Sequence, residues 1–156
     1  MIRQTTADDW TLLREVRLRA LADSPGAFLD TVELASTFPE SRWRERATPS
    51  DAQACFLREE GSGMVSCFIA EDPGTVFLVA MWVAPALRGT GIARELVERV
   101  VAWSRVRGAA RVCLSVEPGN DQAARLYEKC GFAETSDPPP LPYEPNADNR
   151  FYVLVL

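Results

Sequence analysis

Residues 76–93 read VFLVAMWVAPALRGTGIA, and this stretch decides the fold. Its first part, Val76–Val83, is apolar on both faces, which is typical of a strand at the centre of a sheet. Gly89 and Gly91 follow in a turn, and Gly91–Arg107 then has the apolar spacing of a long helix. A central strand that leads through a glycine-bearing turn into a helix predicts an α/β domain.

The rest of the chain supplies helices and further strands. Apolar residues recur at helical spacing over 7–22, after the predicted N-cap Thr6, and over 31–47, where Pro39 would suit a first helical position after a break. A third helix begins after its cap Asn120 and ends near Cys130. The remaining apolar runs have strand length and lie at residues 2–5, 54–59, 64–70, 112–116, 132–135 and 151–156.

The order of these elements predicts one mixed α/β domain over residues 1–156. Three hairpin-linked strands form an antiparallel meander, which is joined to a parallel βαβ unit. The loop 137–149 contains five prolines, and we expect it beside a site because long loops are often functional. The last strand is apolar enough to lie centrally or to pair across a dimer, so a monomer and a homodimer both remain open.

Composition excludes several classes of function. The chain has 156 residues and a net charge of −5, which argues against nucleic-acid and anionic-membrane partners. No apolar run is long enough for a transmembrane helix, and Met1–Gln4 lacks the apolar core of a signal peptide, so we expect a cytoplasmic protein. The chain has no histidine, and its four cysteines lack CxxC spacing. We therefore expect reduced thiols, no metal site and no Ser/His or Cys/His nucleophile.

The start of the long helix is a candidate anion site. The backbone N–H groups of residues 88–93 have no partner within the helix, and the helix dipole attracts negative charge to them. Gly89 and Gly91 would let a bulky anion approach the backbone. Between Arg88 and Arg111 there are six arginines against two glutamates. A diphosphate is the predicted ligand, and a plain helix start is the alternative.

A second pattern follows Asn120 at helical spacing. Ala123, Leu126 and Tyr127 fall on roughly one face of the predicted helix. The small Ala123 leaves space, and the Tyr127 phenol, whose ordinary pKa is about 10, is a protonated donor suited to a leaving thiolate. Packing of Leu126 and Tyr127 into the core is the alternative explanation.

Taken together, the two patterns make the sequence resemble the GNAT superfamily of N-acetyltransferases. Arg88-x-x-Gly91-x-Ala93 is similar to the family's cofactor signature, Q/R-x-x-G-x-G/A. Asn120-x-x-Ala123-x-x-Leu126-Tyr127-x-Lys129-x-Gly131-Phe132 is similar to its second helix motif. The gap between them has room for the one helix and one strand of the family's βαβ unit.

The resemblance implies an acetyl-CoA-dependent N-acetyltransferase that acts on a primary amine of a small molecule. GNAT proteins bind acetyl-CoA between two splayed parallel strands, here 76–83 and 112–116, and the amine attacks the thioester directly. Tyr127 matches the residue that protonates the departing thiolate in many members. The residues that the resemblance implies for cofactor binding are Met81, Trp82, Val83, Arg88, Gly89, Thr90, Gly91, Ile92, Ala93 and Asn120.

The resemblance leaves the general base and the acceptor open. Many relatives use an acid on the first splayed strand, but Val76–Val83 contains none. A water chain is one alternative, and the acidic candidates are Glu33, Asp72, Glu117 and Glu144. We expect Phe28, Glu33 and Glu117 to contact the acceptor. The net charge would suit a cationic amine.

Two other functions are compatible with the sequence. The same chemistry on a protein or peptide would need an open acceptor groove, whereas a covering loop 137–149 would favour a small molecule. A non-catalytic CoA-binding sensor would keep the cofactor site and lose the role of Tyr127.

Overall fold

The computed structural model describes residues 1–25, 28, 30–145 and 147–156, and its elements follow the predicted order. The helices are α1 (Trp10–Asp23), α2 (Val32–Ala35), α3 (Glu40–Ala47), α4 (Ile92–Val106) and α5 (Asp121–Lys129). The strands are β1 (Ile2–Gln4), β2 (Gln53–Arg58), β3 (Gly63–Ile69), β4 (Thr75–Val83), β5 (Arg111–Val116), β6 (Ala133–Thr135) and β7 (Arg150–Val155). The mixed α/β class is thereby confirmed. Within the described residues, no helix is long and apolar enough to cross a bilayer.

The strands form one mixed sheet in the order β1-β2-β3-β4-β5-β7-β6. Strands β1 to β4 are successive antiparallel neighbours, and β4 and β5 are the parallel pair. Their pairing is short, because Thr75–Phe77 lies beside Arg111–Cys113 and the ladder then ends. The two central strands therefore diverge toward their C-terminal ends, as the predicted splay requires.

The last strand lies inside the sheet. All six residues of β7 pair with β5, and its other edge pairs with β6. Tyr152 at its centre is fully buried. Of the two predicted arrangements for this apolar strand, the chain uses the internal one, and the three-residue β6 is the edge strand beside it.

Helices cover both faces of the sheet. Successive residues of β2 point to opposite faces, so Phe56 belongs to the core on the side of α4 and α5, whereas Leu57 belongs to the core on the side of α1 and α3. Leu96 and Val100 anchor α4 on the first face, and Val16 and Trp43 anchor α1 and α3 on the second. This three-layer arrangement leaves the C-terminal ends of β4 and β5 uncovered.

Several boundaries differ from the predicted ones for local reasons. The first helix starts as a 3-10 turn at Ala7–Asp9, and Trp10 begins its regular part. Pro39 is the N-cap of α3, one position before the predicted one, because its ψ of 161° is extended. Gly91 is likewise the N-cap of α4, with a left-handed φ of 91°. These shifts move no element.

The four cysteines are free thiols, as expected. Cys55, Cys67 and Cys113 are buried, and Cys130 is half-buried. Burial raises the pKa of Cys55 to about 11 and that of Cys67 to about 12. Because the thiolate is the reactive form, these buried thiols are packing residues rather than nucleophiles.

Candidate functional site

A cleft of about 780 Å³ opens where β4 and β5 diverge. One wall is Met81–Val83 at the end of β4, and the opposite wall is the loop Glu117–Asn120 that follows β5. Residues from the start of α4 close one end, and α5 contributes Ala123 and Leu126. The cleft therefore lies at the carboxyl edge of the parallel pair, where open α/β sheets bind ligands.

Unpaired backbone donors line the α4 side of this cleft. In the described chain, the N–H groups of residues 89–93 donate no hydrogen bond within the protein. The Arg88 amide differs from the prediction, because it bonds to the Pro85 carbonyl at 3.3 Å. The remaining run of donors and the positive end of the α4 dipole make a site for an anion.

The two glycines of the turn have left-handed backbones. Gly89 has φ of 79° and Gly91 has φ of 91°, a region that other residues enter at a cost. A Cβ atom built at either position meets no heavy atom within 4 Å. No other atoms cover the backbone at these two glycines, so a large group can approach it there.

Positive side chains surround the same cleft. Arg88, Arg94, Arg125 and Lys129 line it, against the single carboxylate of Glu117 among the described lining residues. Arg94 and Arg125 were not among the predicted site residues. The signal that could have found Arg125 is its place four residues before Lys129, which puts both on the helix face that Leu126 shares.

Arg88 has two partners within the protein. Its Nε donates to the Val83 carbonyl at 3.1 Å, and its Nη2 bonds to Asp23 at the end of α1. Asp23 also accepts from Trp82 Nε1 at 2.9 Å. The carbonyl of Val83, one of the predicted cofactor-binding residues, thus accepts a hydrogen bond from the Arg88 side chain.

The second motif divides between the cleft and the core. Asn120 lines the cleft, and its Oδ1 caps α5 by accepting from the Ala123 amide at 3.2 Å. Tyr127 is 6% exposed, packs edge-on to Phe132 at 5.8 Å and is absent from the described lining residues. Burial raises the pKa of the Tyr127 phenol, which keeps it protonated at neutral pH.

The acidic candidates for the general base lie far apart. Glu117 lines the cleft, whereas Glu33 on α2 and Glu144 in the proline-rich loop are exposed and outside its described lining. Asp72 lies before β4, at the end away from the cleft, where it pairs with Arg111 at 3.1 Å. Of the four, the structure brings only Glu117 to the cleft.

The predicted cofactor and substrate residues are largely brought together. Thr90 and Ile92 are not among the described lining residues: Thr90 bonds to Leu87, and the Ile92 side chain is buried. The predicted residues that do line the cleft are Phe28, Met81, Trp82, Val83, Arg88, Gly89, Gly91, Ala93, Glu117 and Asn120.

A β-bulge interrupts β4 just before this cleft. The register with β3 shifts between Met64 and Ser66, so that β4 contains one extra residue. Ala80 lies in the extra segment and has a left-handed φ of 55°. Bulges and left-handed non-glycine residues are enriched beside active sites. The uniform apolar pattern of Val76–Val83 gives no sign of this bulge.

Comparison with known proteins identifies the family. The sequence profile of the acetyltransferase (GNAT) family matches residues 18–132, and the chain belongs to this family. The match includes both motifs and the cleft between β4 and β5.

Individual relatives agree with this assignment. A mycothiol acetyltransferase from Thermobispora bispora is 35% identical over 123 residues, which is 72% of this chain and 41% of that protein. A second one, from Beutenbergia cavernae, is 34% identical over 63% of this chain and 34% of its own length. The chain thus spans well under half the length of these two relatives.

Solved structures share the fold at low identity. The GNAT domain of S. lividans PAT superimposes with a TM-score of 0.78 at 17% identity, over 99% of this chain and 89% of that one. The structure of yncA from Salmonella typhimurium with its cofactor acetyl-CoA gives a TM-score of 0.74 at 22% identity, over 99% and 92%.

Proposed function

We propose that the protein is an acetyl-CoA-dependent N-acetyltransferase that acetylates the primary amine of a small molecule. The observation that carries this proposal is the run of unpaired N–H groups at residues 89–93, which faces the cleft between β4 and β5. Such a run at a helix start suits the diphosphate of CoA. The family assignment supports the same cofactor.

The residues of the cleft fit acetyl-CoA along its length. The bare backbone at Gly89 and Gly91 would hold the diphosphate, and Arg94, Arg125 and Lys129 supply positive charge around it. The end of β4 and Asn120 line the way toward the bulge. Bound acetyl-CoA supplies an acetyl thioester as the electrophile.

The chain contributes two proton-handling groups. Tyr127, kept protonated by burial, is the proposed donor to the departing thiolate. Glu117 is the proposed acceptor of the amine proton, directly or through water, because it alone among the acidic candidates lines the cleft.

Two observations favour a small acceptor. A second cavity, of about 300 Å³, adjoins the bulge in β4, and a volume of this order suits a small molecule. The two relatives that align with most of this chain are named mycothiol acetyltransferases, and this name points to a small acceptor. A protein acceptor would instead call for a long open groove.

Calorimetric titration with acetyl-CoA, with NADH and ATP as controls, tests the cofactor. We expect saturable binding of acetyl-CoA alone, followed by thiol release when primary amines are added. Equal binding of ATP would reduce the cleft to a general phosphate site. Acetyl-CoA binding without thiol release for any amine, peptide or protein would favour the sensor function instead.

A further inference from the structure

The second cavity is lined by positive charge, whereas the chain as a whole is negatively charged. It lies between α1, α3 and the sheet, and Arg17 and Arg46 line it together with apolar side chains of β3 and β4. No aspartate or glutamate belongs to its described lining. A chain with a net charge of −5 thus contains a pocket whose charged lining is entirely cationic.

Buried hydrogen-bond donors without acceptors occur in this lining. Arg17 Nε and Nη1 and Trp43 Nε1 are buried and have no partner among the residues that the structure describes. All three are N–H groups, and both residues line the cavity. Buried polar groups are rarely left unpaired, since each costs free energy when it has lost water without gaining a partner. These donors indicate a ligand that supplies acceptor oxygens.

The positive charges of Arg17 and Arg46 are also only partly neutralised within the protein. Asp30 is the shared carboxylate partner of both arginines, at 3.4 Å from Arg17 Nη2 and 3.4 Å from Arg46 Nη2. One carboxylate between two guanidinium groups leaves one positive charge in excess. Only 12% of the Arg17 side chain is exposed, so water screens this charge poorly. An anionic group would complete the balance.

The cavity lies next to the proposed acetyl-transfer site. Val79 and Ala80 line it, and the next residue, Met81, lines the cofactor cleft. Arg17 stacks on the ring of Phe28, which lines the cleft as well, at 4.6 Å from the ring centroid. A ligand held by Arg17 can therefore extend along β4 toward the cleft.

We infer that Arg17, aided by Arg46 and Trp43, binds the carboxylate of the acceptor, and that the acceptor is a small amine that carries a carboxylate, such as an α-amino acid. The inference rests on the proposed function, since it assigns the acceptor class of the same site. The apolar remainder of the lining, including Leu13, Met64 and Phe68, suits an apolar side chain. The local charge, rather than the net charge of the chain, selects the acceptor.

Matched ligand pairs test the inference directly. Alanine, methionine and phenylalanine and their carboxamides are titrated by calorimetry into protein saturated with CoA, and thiol release is measured with the same compounds and acetyl-CoA. We expect at least one amino acid to bind about tenfold or more tightly than its amide, because the amide lacks the charge that Arg17 pairs. Equal affinities, or no binding by any amino acid, would overturn the inference.

Variants of the arginines test whether Arg17 causes the preference for the carboxylate. Arg17→Met should abolish the preference for the carboxylate and raise the KM for the amino acid, while the weak turnover of the amide is retained. Arg17→Lys should restore part of the preference. Arg14→Met, on the same helix but outside both cavities, is the matched control. If Arg17→Met does not fold, Arg46→Met is the substitute, because the Arg46 side chain is 32% exposed. A preference unchanged in the folded variant would contradict the assignment.

The two proposals fail in different ways. Loss of the proposed function would appear as absent binding of acetyl-CoA, whatever the second cavity binds. Failure of the inference would appear as acetyl-CoA binding and turnover of amines without any preference for a carboxylate.

Discussion

Asp23, the last residue of α1, forms an ion pair with Arg88 in the turn that leads into α4. The same Oδ2 atom accepts the Trp82 indole N–H at 2.9 Å. The hydrogen bond from Trp82 and the contact with Arg88 lower the pKa of Asp23, so the carboxylate is charged at neutral pH. One acid thus joins α1, the end of β4 and the turn that leads into α4.

Replacement of this acid should loosen the turn. We expect Asp23→Ala to destabilise the protein by about 1 kcal/mol, because two hydrogen bonds at a partly exposed site are lost. The affinity for acetyl-CoA should fall about three- to tenfold, because Arg88 and the end of β4 lose their shared anchor. Asp23→Asn, which retains an acceptor oxygen, is the control and should fall between Asp23→Ala and the parent. Calorimetry and urea unfolding measure both quantities, and an unchanged affinity in Asp23→Ala would argue against the anchoring role.

A side chain at Gly91 should block the cofactor. Gly91→Gln places its side chain in open space in front of the unpaired N–H groups, so we expect acetyl-CoA binding to be abolished. Gly108→Gln is the matched control, because Gly108 also has a left-handed φ of 71° and lies beyond the other end of α4. A Cβ atom built at Gly108 likewise meets no heavy atom within 4 Å. Both variants should lose about 1–2 kcal/mol of stability from backbone strain. Acetyl-CoA binding that survives in Gly91→Gln would remove the anion site from this turn.

The Tyr127 hydroxyl should matter for turnover and not for binding. We expect Tyr127→Phe to lower kcat by about a hundredfold or more, since a general acid is lost, while the Kd for acetyl-CoA is kept. Tyr152→Phe is the control: Tyr152 is fully buried and its hydroxyl has no partner among the described residues, so its loss should leave turnover unchanged and should not lower stability. Undiminished turnover in Tyr127→Phe would leave this residue with a packing role alone.

The ionisation of Asp9 should make the stability of the fold depend on pH. Hydrogen bonds from Arg3 at 2.6 and 2.7 Å and from the Thr6 amide at 2.8 Å lower the pKa of Asp9 to about 2. The folded pKa is below the unfolded value of about 4, so the stabilisation is present above pH 4 and is lost as the pH falls toward 2.

The pH profile of unfolding checks this prediction. Asp9→Asn should be about 1 kcal/mol less stable at pH 7, and the difference from the parent should shrink as the pH approaches 2. Asp8→Asn is the control, because the Asp8 side chain is 98% exposed and its ion pair with Arg44 is long, at 3.9 Å. A difference for Asp9→Asn that is constant with pH would show that the loss of a hydrogen bond, rather than of a charge, is responsible.

The fold was predictable because its periodic patterns are strong and local. The apolar run at Val76–Val83 and the amphipathic helix after Gly91 both lie within two residues of their predicted bounds. The residues that meet at the cleft could be identified from the sequence for a related reason: the unpaired donors come from one continuous turn, and Asn120 immediately precedes a second helix.

Pairings between distant parts of the chain were beyond the reach of the linear pattern. The bulge at Ala80 depends on register with β3, and the Asp23–Arg88 pair joins residues 65 positions apart. The hydrogen bond from Arg88 to the Val83 carbonyl was not predictable either, since a side chain's direction is set by its neighbours in space.

Local sequence thus sufficed for the order of the elements, the family motifs and the unpaired N–H groups before α4, because hydrogen-bond periodicity and backbone conformation act over a few residues. The second cavity was decided by tertiary packing alone. Arg17 occupies an ordinary position of an amphipathic helix, and only the approach of α3, Asp30 and β4 strips it of water and leaves its donors unpaired. Burial and charge balance are properties of neighbours in space, so the proposed acceptor pocket exists only in the folded chain.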